Sequence, residues 1–302
     1  MGDDVVENKK FLNNEQLIDR LVDKGIVVSN RDEVKRILLD YGYSNITMYY
    51  RKPFYCTNTK KYDENLDLND IKNLIEFDLS LKQIFIAPTL KLEMRIKSIM
   101  GSKLDAFRKR EALHFLDRVN FDPRHTSKLD YYTVIRNIKT AVYTNRKLFH
   151  EFDSFESIPP WTLSNHLPIG LVVSLYDFMF VENRKEILKD FDKNNVGMDH
   201  QDLEKYLRIL VDLRNTIFHS TPLYDHKFTN FTMSSHKFST NRFMINDKLA
   251  LLAPIITLFE VLSGSITSDS IKSKIFDLLN EYKKKVPTEI SNKVLKEMIY
   301  NE

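Results

Sequence analysis

The sequence predicts an all-α protein, on three observations. Its 302 residues contain only 7 glycines and 9 prolines. Long stretches of Leu, Ile, Phe, Lys and Glu lie between them, and apolar residues recur at three- and four-residue spacing, as an amphipathic helix requires. A chain of this length can bury a sizeable core as one large domain or two smaller ones. With 42% hydrophobic and 12% aromatic residues, it folds rather than staying disordered. No period of 20–50 residues is visible, so a solenoid is not expected.

The first two helices are well punctuated. Asn13 stands three before Gln16 and Asn30 three before Glu33, both capping-box arrangements, while Gly25 and Gly42 occupy the stops. Together they predict a helical hairpin. Tyr43 to Leu66 is aromatic and polar without a clear period, and reads as a loop or a short strand pair. From Leu68 to Met100 apolar residues return at Ile71, Leu74, Ile75, Leu81, Phe85, Leu92, Ile96 and Ile99. Pro88 interrupts them, so two helices or one kinked helix are expected. Further helices are predicted over 102–119, 128–152, 168–181, 199–219, 247–263, 267–284 and 287–300. Pro159-Pro160 and the Asn194-Asn195 region with Gly197 mark the main breaks.

Charge limits the function classes. Lys and Arg total 45 against 42 for Asp and Glu, a net +3. Overall attraction to nucleic acid is therefore weak, and any such binding must come from local patches. Arg108-Lys-Arg110, Lys60-Lys61, Arg146-Lys147 and Lys283-Lys-Lys285 are candidates, although short charge runs more often mark solvated helix faces. The single cysteine, Cys56, allows no intramolecular disulfide and no zinc ligand set, in keeping with a reducing cytoplasm. The acidic amino terminus does not read as a signal peptide, and Val6 stands where a myristoylation site needs Ser or Thr. The longest apolar run, Leu249 to Leu258, is far short of the ~20 residues that span a bilayer. A cytoplasmic protein without membrane association is expected.

Chemistry is most concentrated in Arg214 to His219, at the end of an apolar helix that Ser220, Thr221 and Pro222 stop. At roughly 100° per residue, Asn215 and His219 stack on one face and Arg214 reaches across from the side. Leu210, Leu213 and Ile217 keep the apolar register of a buried face, so the polar trio borders a seam where two helices can meet. The same residues can serve packing alone. Asn215 would then bond a neighbouring helix, His219 would finish the last turn near the negative end of the helix dipole, and Arg214 would pair with Asp212 or another acid. Asn145-Arg-Lys-Leu-Phe-His150 imitates the pattern loosely, but Arg146 and His150 at i,i+4 suit a solvated helix edge better. The remaining histidines, at 114, 125, 166, 200, 226 and 236, show no spacing that suggests a metal. Gly-rich phosphate loops and a Gly-x-Ser-x-Gly elbow are absent.

An ordered series of segments widens the comparison. Phe11 to Ile26, Leu38-Leu-Asp-Tyr-Gly-Tyr43, Tyr49-Tyr-Arg-Lys-Pro-Phe54, Ile75-Glu-Phe-Asp-Leu-Ser-Leu-Lys82 and Leu92-Glu-Met-Arg-Ile-Lys-Ser98 come first. Pro159-Pro-Trp161, Leu167-Pro-Ile-Gly-Leu171 and Leu213-Arg-Asn-Thr-Ile-Phe-His219 follow. The series, over about residues 11–225, resembles the Abi-like family of bacterial abortive-infection proteins, a branch of the HEPN superfamily of helical ribonucleases. There are departures. Lys82 and Lys97 stand where the resemblance implies arginine, and a point-charge ammonium does not replace a planar fork in a two-pronged contact. Ser220 follows His219 where many relatives carry a second histidine, and Ser164-Asn-His-Leu lacks an expected glutamate.

The resemblance implies a HEPN-type helical bundle with an N-terminal helical hairpin extension. Residues 1–66 would form the extension, 67–263 the HEPN-like core and 264–302 the C-terminal helices. It also implies a metal-independent, cofactor-free endoribonuclease of anti-phage defence with Arg214, Asn215 and His219 as its catalytic residues. A histidine titrating near ~6.5 can move protons at neutral pH, Arg214 would bind the scissile phosphate, and Asn215 would orient them. RNA would be cut to 2′,3′-cyclic phosphate ends. One motif per chain implies a homodimer with the 199–219 helices facing across the cleft. Restraint of such an activity implies an inhibitory partner, a small RNA or a protein antitoxin. The alternative is a non-catalytic HEPN scaffold that binds RNA or protein; a helical adaptor unrelated to that superfamily is a third reading.

Overall fold

Helices α1 (Asn14–Asp23) and α2 (Arg31–Tyr41) start where their caps require. The computed structural model describes residues 12–109, 114–126, 129–152, 157–191, 197–228 and 243–300. Asn13 Oδ1 accepts from the Gln16 N–H, and Gln16 Oε1 accepts from the Asn13 N–H, both at 3.0 Å. Asn30 likewise accepts from Asp32 and Glu33. Its box stays half made, because the Glu33 carboxylate accepts from Asn69 instead. Gly42 ends α2 at φ +81, which a side chain would strain. The aperiodic stretch beyond it holds a π turn at 45–49, a 3-10 turn at 52–54 and a hairpin of β1 (Tyr55–Cys56) and β2 (Lys61–Tyr62). Buried Tyr50 and Phe54 tie it to the core.

Pro88 breaks nothing: α3 runs unbroken as one helix from Leu68 to Ala106. An interior proline costs about 3 kcal/mol. Against that stands burial of Ile71, Leu74, Leu81, Phe85, Leu92, Ile96 and Met100 along the helix, each worth ~1.5–3 kcal/mol. Of the helix expected over 102–119, residues 102–106 are the last turn of α3, and the described residues 107–109 and 114–119 form no α-helix of their own. Phe107 caps α3, and the side chain of Asn120 accepts from the Lys109 N–H and donates to the carbonyls of His114 and Phe115. A buried amide that satisfies three backbone groups in a turn outcompetes the helix.

Beyond it come α4 (Pro123–Thr126), α5 (Leu129–Thr144) and α6 (Arg146–Glu151). The single helix expected over 128–152 is two, because Asn145 turns its side chain to the N–H groups of Lys147 and Leu148 and starts a new helix. Helices α7 (Pro160–His166) and α8 (Ile169–Phe178) each follow a proline stop, then α9 (Val181–Leu188) and α10 (His200–Phe218). The expected 247–263 helix is shortened by a hairpin of β3 (Met244–Ile245) and β4 (Lys248–Leu249). Its turn residues Asn246 and Asp247 both have positive φ, the geometry a two-residue hairpin turn selects. Helices α11 (Ala253–Ser263), α12 (Ser265–Lys285) and α13 (Thr288–Glu297) complete the chain. The break at Asn194-Asn195, Arg110 and His236 lie outside the described residues.

Helix α3 is the axis of the bundle, with α7, α8, α10, α11 and α12 packed against it. At the crossing with α7 the backbones nearly touch: a Cβ on Gly101 would lie 2.7 Å from the Trp161 Cα. Tyr282 of α12 covers Phe77, ring centroids 4.7 Å apart. Among the described residues no helix is long and apolar enough to cross a membrane.

Candidate functional site

Helix α10 delivers the motif. A capping box of Asp199 and Asp202 fixes its start, and buried Leu203, Leu207, Leu210, Leu213 and Ile217 fix its rotation about its axis. Its last turn therefore leaves Arg214 half-buried and Asn215 and His219 exposed. His219 is the cap: its N–H donates to the Asn215 carbonyl at 3.0 Å, but its own backbone is extended, with φ −113 and ψ 169. The residue has left the helical register, so the i,i+4 stacking of Asn215 and His219 expected from helical spacing stops one residue short.

The two residues accordingly line different hollows. His219 borders a cleft of about 430 Å³ with Asp40, Tyr41, Tyr50, Lys82 and Phe218. Asn215 opens into a groove of about 400 Å³ between α8 and α10, with Ser174, Asp177, Arg208 and Asp212. Arg214 lays its guanidinium over the Phe218 ring, 5.2 Å from the centroid. Among the described residues, neither its guanidinium nor the His219 imidazole has a hydrogen-bond or ion-pair partner. The expected pairing of Arg214 with Asp212 is not made. Asp212 instead faces His226, Oδ2 to Nε2 at 3.1 Å.

What holds the end of α10 comes from α3. The Lys82 ammonium, 5% exposed, donates to the carbonyls of His219 at 3.2 Å and Thr221 at 2.7 Å, and stands 3.4 Å from Asp78 Oδ2. Three acceptors surround three N–H donors. Asp78, fully buried, accepts from the N–H groups of Leu223 and Tyr224 and from the Tyr50 hydroxyl. Burial pushes its carboxyl up; Lys82 and these donors pull it down. Lys82 thus needs no planar fork: its partners are protein oxygens, and a compact ammonium suits them. Lys97 pairs within α3 with Glu93 at 2.6 Å.

The α8–α10 groove carries its own charge arrangement. Burial pushes the Asp177 carboxyl up to about 7, against the pull of Arg208, whose Nη2 donates to it at 2.8 Å. Arg208 also reaches Glu204. The basic patches are elsewhere: Arg108 pairs with Asp105, Lys109 lies over Phe180, and Lys285 meets Glu76. His150 is exposed on α6 against Phe149. Among the described residues, no three His, Cys, Asp or Glu side chains are grouped to hold a metal.

Residues 36–225, more than half of the chain, match the family model described as Abi-like protein. The chain belongs to that family. No curated protein and no solved structure matches it significantly. The Abi-like segment contains Asp78, Lys82 and all of Arg214 to His219, and ends one residue before His226. Sequence reasoning named Lys82 only as a replacement for arginine and missed two pairings of this site. Asp78 and Lys82 were visible as an i,i+4 charge pair inside an apolar run, a signal of buried pairing. The Asp212–His226 pair spans a turn of irregular backbone, and no spacing announces it.

Proposed function

We propose that this Abi-like chain is a metal-independent endoribonuclease acting in abortive infection, with Arg214 and His219 in its active site. One observation carries the reading. The neighbouring charges are engaged, Lys82 with Asp78, Arg208 with Asp177, Asp212 with His226. Arg214 and His219 stand without polar partners among the described residues, while buried bonds from α3 hold the backbone between them and Tyr224. A cation and an imidazole carried on an anchored backbone, with no polar partner of their own among the described residues, suit a ligand bearing a phosphate and a transferable proton.

In this reading the Arg214 fork binds the scissile phosphate and steadies its charge. His219 takes the 2′-hydroxyl proton, and DNA, without that hydroxyl, is not cut. Asn215 orients the strand where it passes toward the α8–α10 groove. Phe218, 49% exposed, and exposed Leu79 flank the cleft, an apolar rim that suits a second copy of the chain, so the active form is a homodimer. Such an activity requires restraint by an RNA or protein partner. Membership of the Abi-like family supports the defence role.

The scaffold reading draws on a specific observation, the division of Asn215 and His219 between two hollows. The test is incubation of the protein with labelled single-stranded RNA in EDTA, beside Arg214→Ala and His219→Ala variants checked for folding and oligomeric state. The expected result is cyclic-phosphate products from the wild type alone, with at least ~100-fold loss in each variant. Equal RNA binding and no cleavage by all three proteins would favour the scaffold.

A further inference from the structure

Transesterification of RNA moves two protons, one off the 2′-oxygen and one onto the departing 5′-oxygen, while the Arg-Asn-x-x-x-His motif supplies one imidazole per chain. The structure holds a second imidazole beside the motif. His226 Nε2 lies 3.1 Å from Asp212 Oδ2, and its ring packs edge-on to Phe228 at 4.6 Å. Both members of the pair are partly exposed. A carboxylate at one ring nitrogen holds the proton there and leaves the other nitrogen as the working atom. Nδ1 of His226 has no partner among the described residues.

Placement ties the pair to the motif. Asp212, Asn215 and His219 follow one another at three and four residues along α10, and Asp212 shares with Asn215 the α8–α10 groove. Seven positions along the chain separate Asp212 from His219, the extended cap of α10, a rise of about 10 Å, so a strand that runs from the His219 cleft to the α8–α10 groove passes both residues. The 219–226 segment that joins the two histidines is held at His219, Thr221, Leu223, Tyr224 and Asp225 by α3 and Lys52. It does not need His226 to keep its course.

We propose that His226, oriented by Asp212, is the second proton carrier of the RNA site; this rests on the ribonuclease reading above. His219 takes the 2′-hydroxyl proton as O2′ bonds to phosphorus. The P–O5′ bond breaks, its electron pair stays on O5′, and imidazolium His226 gives its Nδ1 proton to that oxygen. The products are a 2′,3′-cyclic phosphate and a 5′-hydroxyl, and solvent exchange returns both histidines to their starting states.

The test compares the full-length wild type with His226→Gln, which keeps a donor for Asp212, and with His219→Ala. Each is assayed on one RNA with an ordinary linkage and on the same RNA with sulfur in place of the bridging 5′-oxygen, a leaving group that needs no proton. His226→Gln should lose about 100-fold or more in kcat on the ordinary linkage with KM unchanged, and should recover on the sulfur linkage, where His219→Ala does not. Wild-type cleavage of the ordinary linkage by His226→Gln, or an equal loss on both linkages, would make His226 a loop anchor and overturn the proposal. If the wild type cuts neither RNA, the ribonuclease reading fails first and takes this proposal with it.

Discussion

Lys82→Met tests the frame of the site directly. Methionine keeps the length of the stem and removes the ammonium from a position 5% exposed to solvent. Asp78, fully buried, then loses its only neighbouring cation among the described residues, and the carbonyls of His219 and Thr221 lose their donor. Removing one partner of a buried ion pair costs about 3–5 kcal/mol. The two orphaned carbonyls hang on the same ammonium, so their penalty is partly inside that figure. The loss should depend on pH. Burial already raises the Asp78 carboxyl above its ordinary range, and the methionine substitution removes the main opposing pull. The deficit should be smallest below the ordinary carboxylate range, where Asp78 is protonated folded and unfolded, and should grow as pH rises. Urea unfolding of wild type, Lys82→Met, Asp78→Asn and the double variant measures it. The double variant should be more stable than the sum of the single losses implies, by roughly 1–3 kcal/mol. A Lys82→Met loss under about 1 kcal/mol, or strict additivity with Asp78→Asn, would show that this pair does not hold the end of α10.

Asp177→Asn should act in the opposite sense. The wild-type carboxyl is raised from 3.8 to about 7, so its contribution to stability is complete below its unfolded value and is lost as pH rises through about 7. That rise corresponds to a ceiling of about 4 kcal/mol, lowered by partial exposure and by the Arg208 pair that the variant gives up. Urea unfolding at about pH 5 and pH 8 should show the asparagine variant gaining on the wild type at the higher pH; a constant difference would remove the burial argument. Gly101→Ala should cost about 1–3 kcal/mol by overpacking, since its methyl would meet the Trp161 backbone at 2.7 Å. Thermal unfolding reads it, and an unchanged midpoint would mean that α3 and α7 slide apart without penalty.

Much of the fold was legible because local chemistry and tertiary packing agree. Asn13, Asn30, Gly25 and Gly42 mark the first hairpin, and the apolar rows of α10 and α12 are where periodicity puts them. Failures came where one buried polar side chain or a neighbouring helix decided the outcome. Asn120 and Asn145 divert the backbone by bonding to it, whereas packing along α3 carries the helix through Pro88. The candidate site divides the same way. Arg214, Asn215 and His219 could be read from one helix turn, but the extended backbone of His219 parts it from Asn215. Asp78, Lys82 and His226 act through partners 145, 137 and 14 residues away in sequence, outside the helix turn that carries the motif.

That separation has a consequence for the chain as it is made. The bonds that shape the end of α10 join residues 137 to 146 positions apart, so their formation awaits closure of a long loop. A nascent chain that has emerged only as far as α9 contains Asp78 and Lys82 but not the 219–224 backbone they hold. One cut before Tyr224 cannot complete the grip at all. Partial synthesis or local unfolding therefore leaves the motif on an unanchored helix end, and under the proposed ribonuclease reading, competence to cut arrives only with the finished fold.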